Sequence, residues 1–161
     1  MKYEIAYNIA MKIRASLQPY CHRVEIAGSI RRKKPEVGDI EIVLIPKPYE
    51  VGLFESGVAT VINKFKKVKG ELPCKYTQRI HPEGIKIDFF FAVHENWGYI
   101  FAIRTGSREF SSMLARRWVK HGYNGKDGFL NYHGEVVPLF EEIDLFNELG
   151  MQFVDPEKRC L

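Results

Sequence analysis

Gly28-Ser29-Ile30-Arg31-Arg32-Lys33-Lys34-Pro35-Glu36-Val37-Gly38-Asp39-Ile40-Glu41-Ile42-Val43-Leu44-Ile45 is the stretch that decides how this chain folds. Its second half reads as a strand, ended by Pro46 and Pro48. Side chains alternate across a strand, so Asp39 and Glu41 share one face while Ile40, Ile42 and Leu44 point into a core. Ahead of it, Val24 to Ala27 is short, apolar and β-branched, and reads as a second strand that runs into Gly28-Ser29. The basic cluster Arg31 to Lys34 follows, and Pro35 keeps a helix from continuing through it. A Gly-Ser turn lets the backbone approach a phosphate closely, with the Ser29 hydroxyl as a donor. Arginines such as Arg31 and Arg32 bind phosphate oxygens bidentately. Gly38 again gives backbone access just before Asp39. Phosphate ligands and candidate metal ligands thus fall in one short span.

Outward from this stretch, Ile5, Ile9, Ile13 and Leu17 recur every four residues and predict an opening amphipathic helix that stops before Pro19. Phe54 to Phe65 has Val58, Val61, Ile62 and Phe65 at helical spacing and predicts another. Lys64, Lys66, Lys67 and Lys69 follow, either as a solvated helix end or as a grip on a polyanion. Two strands flank the turn His81-Pro82-Glu83-Gly84. The second, Ile85 to Val93, is apolar and carries Asp88. Ser107 is placed to N-cap a helix running to His121 and closed by Gly122, with Phe110, Leu114 and Trp118 as its apolar face. Short strands near 129–132 and 136–138 flank His133-Gly134, and a last helix, 142–149, ends at Gly150. Helices mixed with strands that do not follow a βαβ pattern indicate an α+β fold. The division expected is a first subdomain over 1–94 and a second over 95–161.

Composition narrows the classes. Of 161 residues, 45% are hydrophobic and 13% aromatic, which supports a packed core and argues against wholesale disorder. No apolar run is long enough for a bilayer, and the first 17 residues do not read as a signal peptide. The three cysteines, Cys21, Cys74 and Cys160, are far apart and suggest neither a disulfide framework nor a zinc site. An intracellular protein without a membrane partner is expected. The five histidines show no ligand spacing. The net charge of +4 is uneven: residues 1–94 hold 16 Lys+Arg against 10 Asp+Glu, and residues 95–161 hold 8 against 10. The basic excess is compatible with a polyanionic partner and equally with ordinary solvated faces.

Two carboxylates side by side raise each other's pKa unless a cation lies between them. Asp88, flanked by Ile87 and Phe89, also needs a partner. If the strands of Asp39, Glu41 and Asp88 are neighbours, the three form an oxygen site suited to Mg²⁺. Two such ions serve phosphoryl transfer. The same alternation describes any half-exposed strand, and Asp88 could instead pair with Lys86 or Lys75.

Gly28-Ser29, a spacer, then Asp39-Ile40-Glu41-Ile42 resembles the signature of the polymerase β-like nucleotidyltransferase superfamily. Ala27 to Arg32 with Val37 to Ile42 resembles family X DNA polymerases more narrowly. Ile85 to Asp88 is similar to that family's third-carboxylate strand, and Thr105-Gly106-Ser107 to the start of its thumb. The closing run from Ile143 to Arg159 is similar to the family's last segment. The resemblance implies a nucleotidyltransferase palm, with a mixed sheet and helices on one face, followed by a small thumb. It implies a DNA polymerase, expected to fill short gaps in repair. Asp39, Glu41 and Asp88 would be catalytic and would bind two Mg²⁺ ions, which Mn²⁺ could replace. Gly28, Ser29, Arg32 and Gly38 would hold the triphosphate of a dNTP. Thr105, Gly106, Arg104 and Arg108 would lie by the nucleotide. Lys86, Ser111 and Arg116 would contact DNA. The partners implied are primer-template or gapped DNA and a dNTP, with the chain a monomer. The family's lyase and helix-hairpin-helix modules are not expected in this sequence. Some positions depart from the family. Glu41 replaces the usual Asp, Ile103-Arg104 replaces an aromatic pair at the sugar, and Ala115 cannot make the usual arginine contact to template. These departures point to low fidelity. The alternatives are a transferase without a template or acting on RNA, protein or a small molecule, and an inactive nucleic-acid-binding module.

Overall fold

A computed structural model describes residues 1–160. The chain divides into two compact units, Met1–Ala92 and Val93–Leu161.

The first unit runs α1 (Tyr3–Leu17), β1 (Cys21–Ile26), α2 (Gly28–Arg31), β2 (Asp39–Pro46), α3 (Val58–Ile62), β3 (Lys66–Lys69), β4 (Tyr76–Ile80) and β5 (Lys86–Phe91). The strands form one five-stranded sheet in the order β1-β2-β5-β4-β3. β2 and β5 are parallel and the other pairs antiparallel, so the sheet is mixed. Its register sets Ile40 opposite Ile87 and Ile42 opposite Phe89. These four are fully buried and share a core with Ala6, Ile9, Ala10, Ile13 and Leu17 of α1 and Val58, Ala59 and Ile62 of α3. The helices therefore cover that face. Alternation leaves Asp39, Glu41 and Asp88 on the opposite one.

Three readings from the sequence need correction here. The buried stripe of α1 is Ala6, Ile9, Ala10, Ile13 and Leu17, while Ile5 is 47% exposed. A strict four-residue recurrence advances about 40° too far per step on a helix of 3.6 residues per turn, so Ile5 rotates off the face. The helix expected from Phe54 covers only Val58–Ile62. Gly57 precedes it at φ +62°, outside helical geometry, and leaves Leu53 and Phe54 exposed in the preceding loop. Lys66–Lys69 is neither a helix end nor loop but the edge strand β3, exposed throughout. Lysines suit an edge because they discourage pairing with another chain.

The second unit comprises α4 (Trp97–Thr105), α5 (Arg108–Lys120), a three-stranded sheet of β6 (Tyr123–Lys126), β7 (Phe129–Tyr132) and β8 (Glu135–Val136), and α6 (Glu142–Glu148). Ser107 caps α5 by accepting from the Phe110 N–H at 3.1 Å, and Phe110, Leu114 and Trp118 are its buried face, as the spacing predicts. The sequence gives little sign of α4. Trp97, Gly98, Tyr99, Phe101, Ala102 and Thr105 are all buried, so no amphipathic stripe marks it. Near the end, Arg159 is buried in an ion pair with Glu142. Its Nε donates to the Val154 carbonyl at 2.8 Å, and its guanidinium lies over Phe146 and Phe153. Among the described residues no helix is long and apolar enough to cross a membrane.

Candidate active site

The parallel pairing of β2 with β5 assembles the carboxylates of the first unit. Asp39 lies opposite Lys86, and Glu41 lies opposite Asp88. The Asp39 and Asp88 carboxylates lie close enough to act on one another electrostatically. Burial raises the Asp39 pKa first, followed by the charge of Asp88, while Arg32 and Lys86 pull the other way. Asp88 is only 5% exposed. Two neutral donors from β4 reach the same oxygen: the Tyr76 hydroxyl donates to Asp88 Oδ1 at 2.5 Å, and Gln78 Nε2 donates to it at 2.8 Å.

The Gly-Ser element packs directly on this group. Gly28 has φ +61°, and a Cβ there would overlap the Glu41 carboxylate. Glycine is therefore required twice, for its conformation and for the approach of Glu41. The Ser29 hydroxyl is buried and has no hydrogen-bond partner among the described residues, so it is a donor awaiting an acceptor. Arg32 acts electrostatically on Asp39. Gly38 is exposed with nothing within 4 Å of a modest side chain, so packing does not demand glycine there.

The fit to divalent cations can be judged from these donors. Among the described residues no three His, Cys, Asp or Glu side chains are grouped as a ready metal cage. Asp39 and Asp88 already lie close, however, and Glu41 stands opposite Asp88 in register. Their oxygens are the hard donors that Mg²⁺ takes, and a cation there would relieve the repulsion between neighbouring carboxylates.

In the second unit, Thr105 ends α4 and is fully buried. A Cβ at Gly106 would come within 2.7 Å of the Phe110 ring, so glycine lets the start of α5 fold back tightly. Arg104 and Arg108 are exposed on either side of this junction, and Arg116 is exposed further along α5. Ser111, by contrast, donates its hydroxyl to the Ile103 carbonyl at 2.8 Å and is engaged within its own unit.

Residues 101–160 match the family model for the DNA polymerase beta thumb. The chain as a whole is similar to Leishmania infantum polymerase beta in a ternary P/T complex, with a TM-score of 0.72 and 18% identity, covering 99% of this chain and 76% of that one. The chain has a polymerase beta-like fold. No curated protein sequence matches it. At this identity the likeness shows the fold, and the thumb match adds the family of the second unit.

Within this polymerase-like chain, Tyr76 and Gln78 are the site residues that sequence reasoning missed. Both lie on β4, which pairs antiparallel with β5, and Gln78 stands directly opposite Asp88. Tyr76, two positions away, shares its face. Nothing in the sequence states that pairing. Lys69 of β3, opposite Gln78, is on the same face, with its ammonium 5.3 Å from the Tyr76 ring centre.

Proposed function

We propose that the chain is a DNA-directed DNA polymerase that adds dNMP from a dNTP to a primer 3′-hydroxyl, filling short gaps in DNA repair with low fidelity. The observation that carries this reading is the register that sets Glu41 opposite Asp88, two positions on from Asp39, against Gly28 and Ser29 at the start of α2, where the buried Ser29 hydroxyl has no partner among the described residues. The Leishmania relative, seen in a ternary P/T complex, supports primer-template or gapped DNA and a dNTP as partners. The polymerase beta thumb over residues 101–160 favours a polymerase over transferases acting on proteins or small molecules. We assign the palm to residues 1–94 and the thumb to 95–161, in a monomeric, intracellular protein.

Asp39, Glu41 and Asp88 would hold two Mg²⁺ ions, or Mn²⁺ in their place. Bound there, the metal supplies Lewis acidity toward the attacking and departing oxygens. The chain's own groups then do the following. Asp88 accepts the proton of the 3′-hydroxyl. Ser29 donates to a phosphate oxygen, Arg32 neutralises phosphate charge, and the backbone at Gly28 and Gly38 admits the triphosphate closely. Lys86, opposite Asp39 in register, contacts the primer end. In the second unit, Arg104, Gly106 and Arg108 contact the nucleotide and Arg116 contacts DNA, while buried Thr105 and Ser111, bonded to the Ile103 carbonyl, shape the surface that carries them. The new bond joins the 3′-oxygen to the α-phosphorus as pyrophosphate leaves. Primer extension on gapped, recessed and single-stranded DNA with Mg²⁺ or Mn²⁺ tests the reading. Incorporation abolished by Asp88→Asn is expected; no incorporation by folded protein on any substrate refutes it.

A further inference from the structure

Asp88 is gripped asymmetrically. Both of its neutral donors, the Tyr76 hydroxyl and Gln78 Nε2, bond to Oδ1, and Oδ2 takes neither. If these residues served only to solvate a buried carboxylate, nothing would require both to choose one oxygen. The donors are themselves held. Gln78 is fixed by register directly across from Asp88, on the opposite side from Glu41. The Tyr76 ring stacks on Phe90 with centroids 5.0 Å apart and planes 25° apart, and Lys69 approaches it at 5.3 Å. A carboxylate rotates about its Cβ–Cγ bond unless something stops it, and that torsion is soft. Two rigid donors on one oxygen stop it.

We propose that Tyr76 and Gln78 are positioning residues that lock the Asp88 carboxylate through Oδ1 and so present Oδ2 to a divalent cation. This rests on the polymerase reading of the carboxylate site. It assigns both side chains a part in metal loading that neither would play as a core or surface residue. Tyr76→Phe removes only the hydroxyl and keeps the ring stack. Gln78→Met keeps the length of the side chain without its donor. Gln78→Glu sets an acceptor against Oδ1 and should be the most damaging of the three.

The test is Mn²⁺ binding to the full chain without DNA or nucleotide, followed by electron paramagnetic resonance, alongside melting temperature and steady-state primer extension. Outer groups that orient metal ligands change metal affinity or activity by about 10- to 100-fold. Tyr76→Phe and Gln78→Met should each raise the half-saturating Mn²⁺ concentration by about that factor and lower kcat. The KM for dNTP should be unchanged, and the Mn²⁺ shift should persist in fully folded protein whatever melting temperature the lost donor costs. A purely structural role would lower the melting temperature and leave the Mn²⁺ half-saturation of the folded fraction alone. Wild-type Mn²⁺ affinity in both variants overturns the proposal while leaving the polymerase reading intact. Absence of Mn²⁺ binding by the wild-type chain, or equal binding by Asp88→Asn, overturns the site assignment and the proposal with it.

Discussion

Replacing Gly28 by alanine should separate the demands that fold and site place on one residue. Gly28 sits at φ +61°, where an L side chain is strained by about 1–2 kcal/mol. The added Cβ would also lie 2.8 Å from the Glu41 Cδ and 3.1 Å from its Cβ, with the carboxylate oxygen closer still. Glu41 must turn away, because its end is flexible while the β2 backbone is held by β1 and β5. For a chain of this size each kcal/mol moves the melting temperature by about 2–4 °C, so backbone strain alone predicts a fall of about 2–8 °C. Gly38→Ala is the control, since nothing lies within 4 Å of its added methyl group and its φ is not positive. It should melt close to wild type. The double variant Gly28→Ala/Glu41→Ala removes the overlap but not the backbone strain, and should recover part of the lost stability without recovering activity. Thermal denaturation followed by circular dichroism, with primer extension on the same samples, measures all four proteins. If Gly28→Ala melts within about 1 °C of Gly38→Ala, the packing of Gly28 against Glu41 is refuted.

Three further outcomes are expected. Arg159→Met removes the guanidinium from the buried ion pair with Glu142 and should cost about 3–5 kcal/mol in urea denaturation; Glu142→Gln added to it should restore much of the loss, and simple additivity of the two changes would contradict the buried pair. Asp39→Asn should raise the melting temperature of metal-free protein while abolishing incorporation. Folding raises the Asp39 pKa, so its contribution to stability is present below the ordinary value of 3.8 and is lost as pH rises through the folded value. The asparagine variant should lack that decline, and a lower melting temperature in EDTA would be the contrary result. Burial pushes the Cys21 thiol from 9.0 up to about 12. At pH 8 its thiolate fraction should fall from about one in ten unfolded to about one in ten thousand folded. Iodoacetamide should therefore spare Cys21 in native protein and label it in urea, as read by peptide mass spectrometry; rapid native labelling would refute its burial. Any stability tied to this thiol is intact below pH 9 and is lost as pH climbs toward 12.

Much of the site could be read along the chain because its chemistry is local there. Gly28, Ser29, Asp39 and Glu41 occupy one short span, and strand alternation alone puts the two carboxylates on one face. Ser107, Phe110, Leu114 and Trp118 fixed α5 in the same way, by a cap and a helical period within one segment. The sequence went wrong where a single backbone angle outweighed the apolar pattern, as Gly57 does ahead of α3, and where the pattern had no contrast, as in α4. Tertiary structure decided what depends on strand pairing. Only the register of β2, β5 and β4 brings Asp88 to Asp39 and sets Gln78 and Tyr76 against it. A one-residue slip in that pairing would turn those side chains to the helix-covered face, and no local pattern around Tyr76 or Gln78 names the strand they will face.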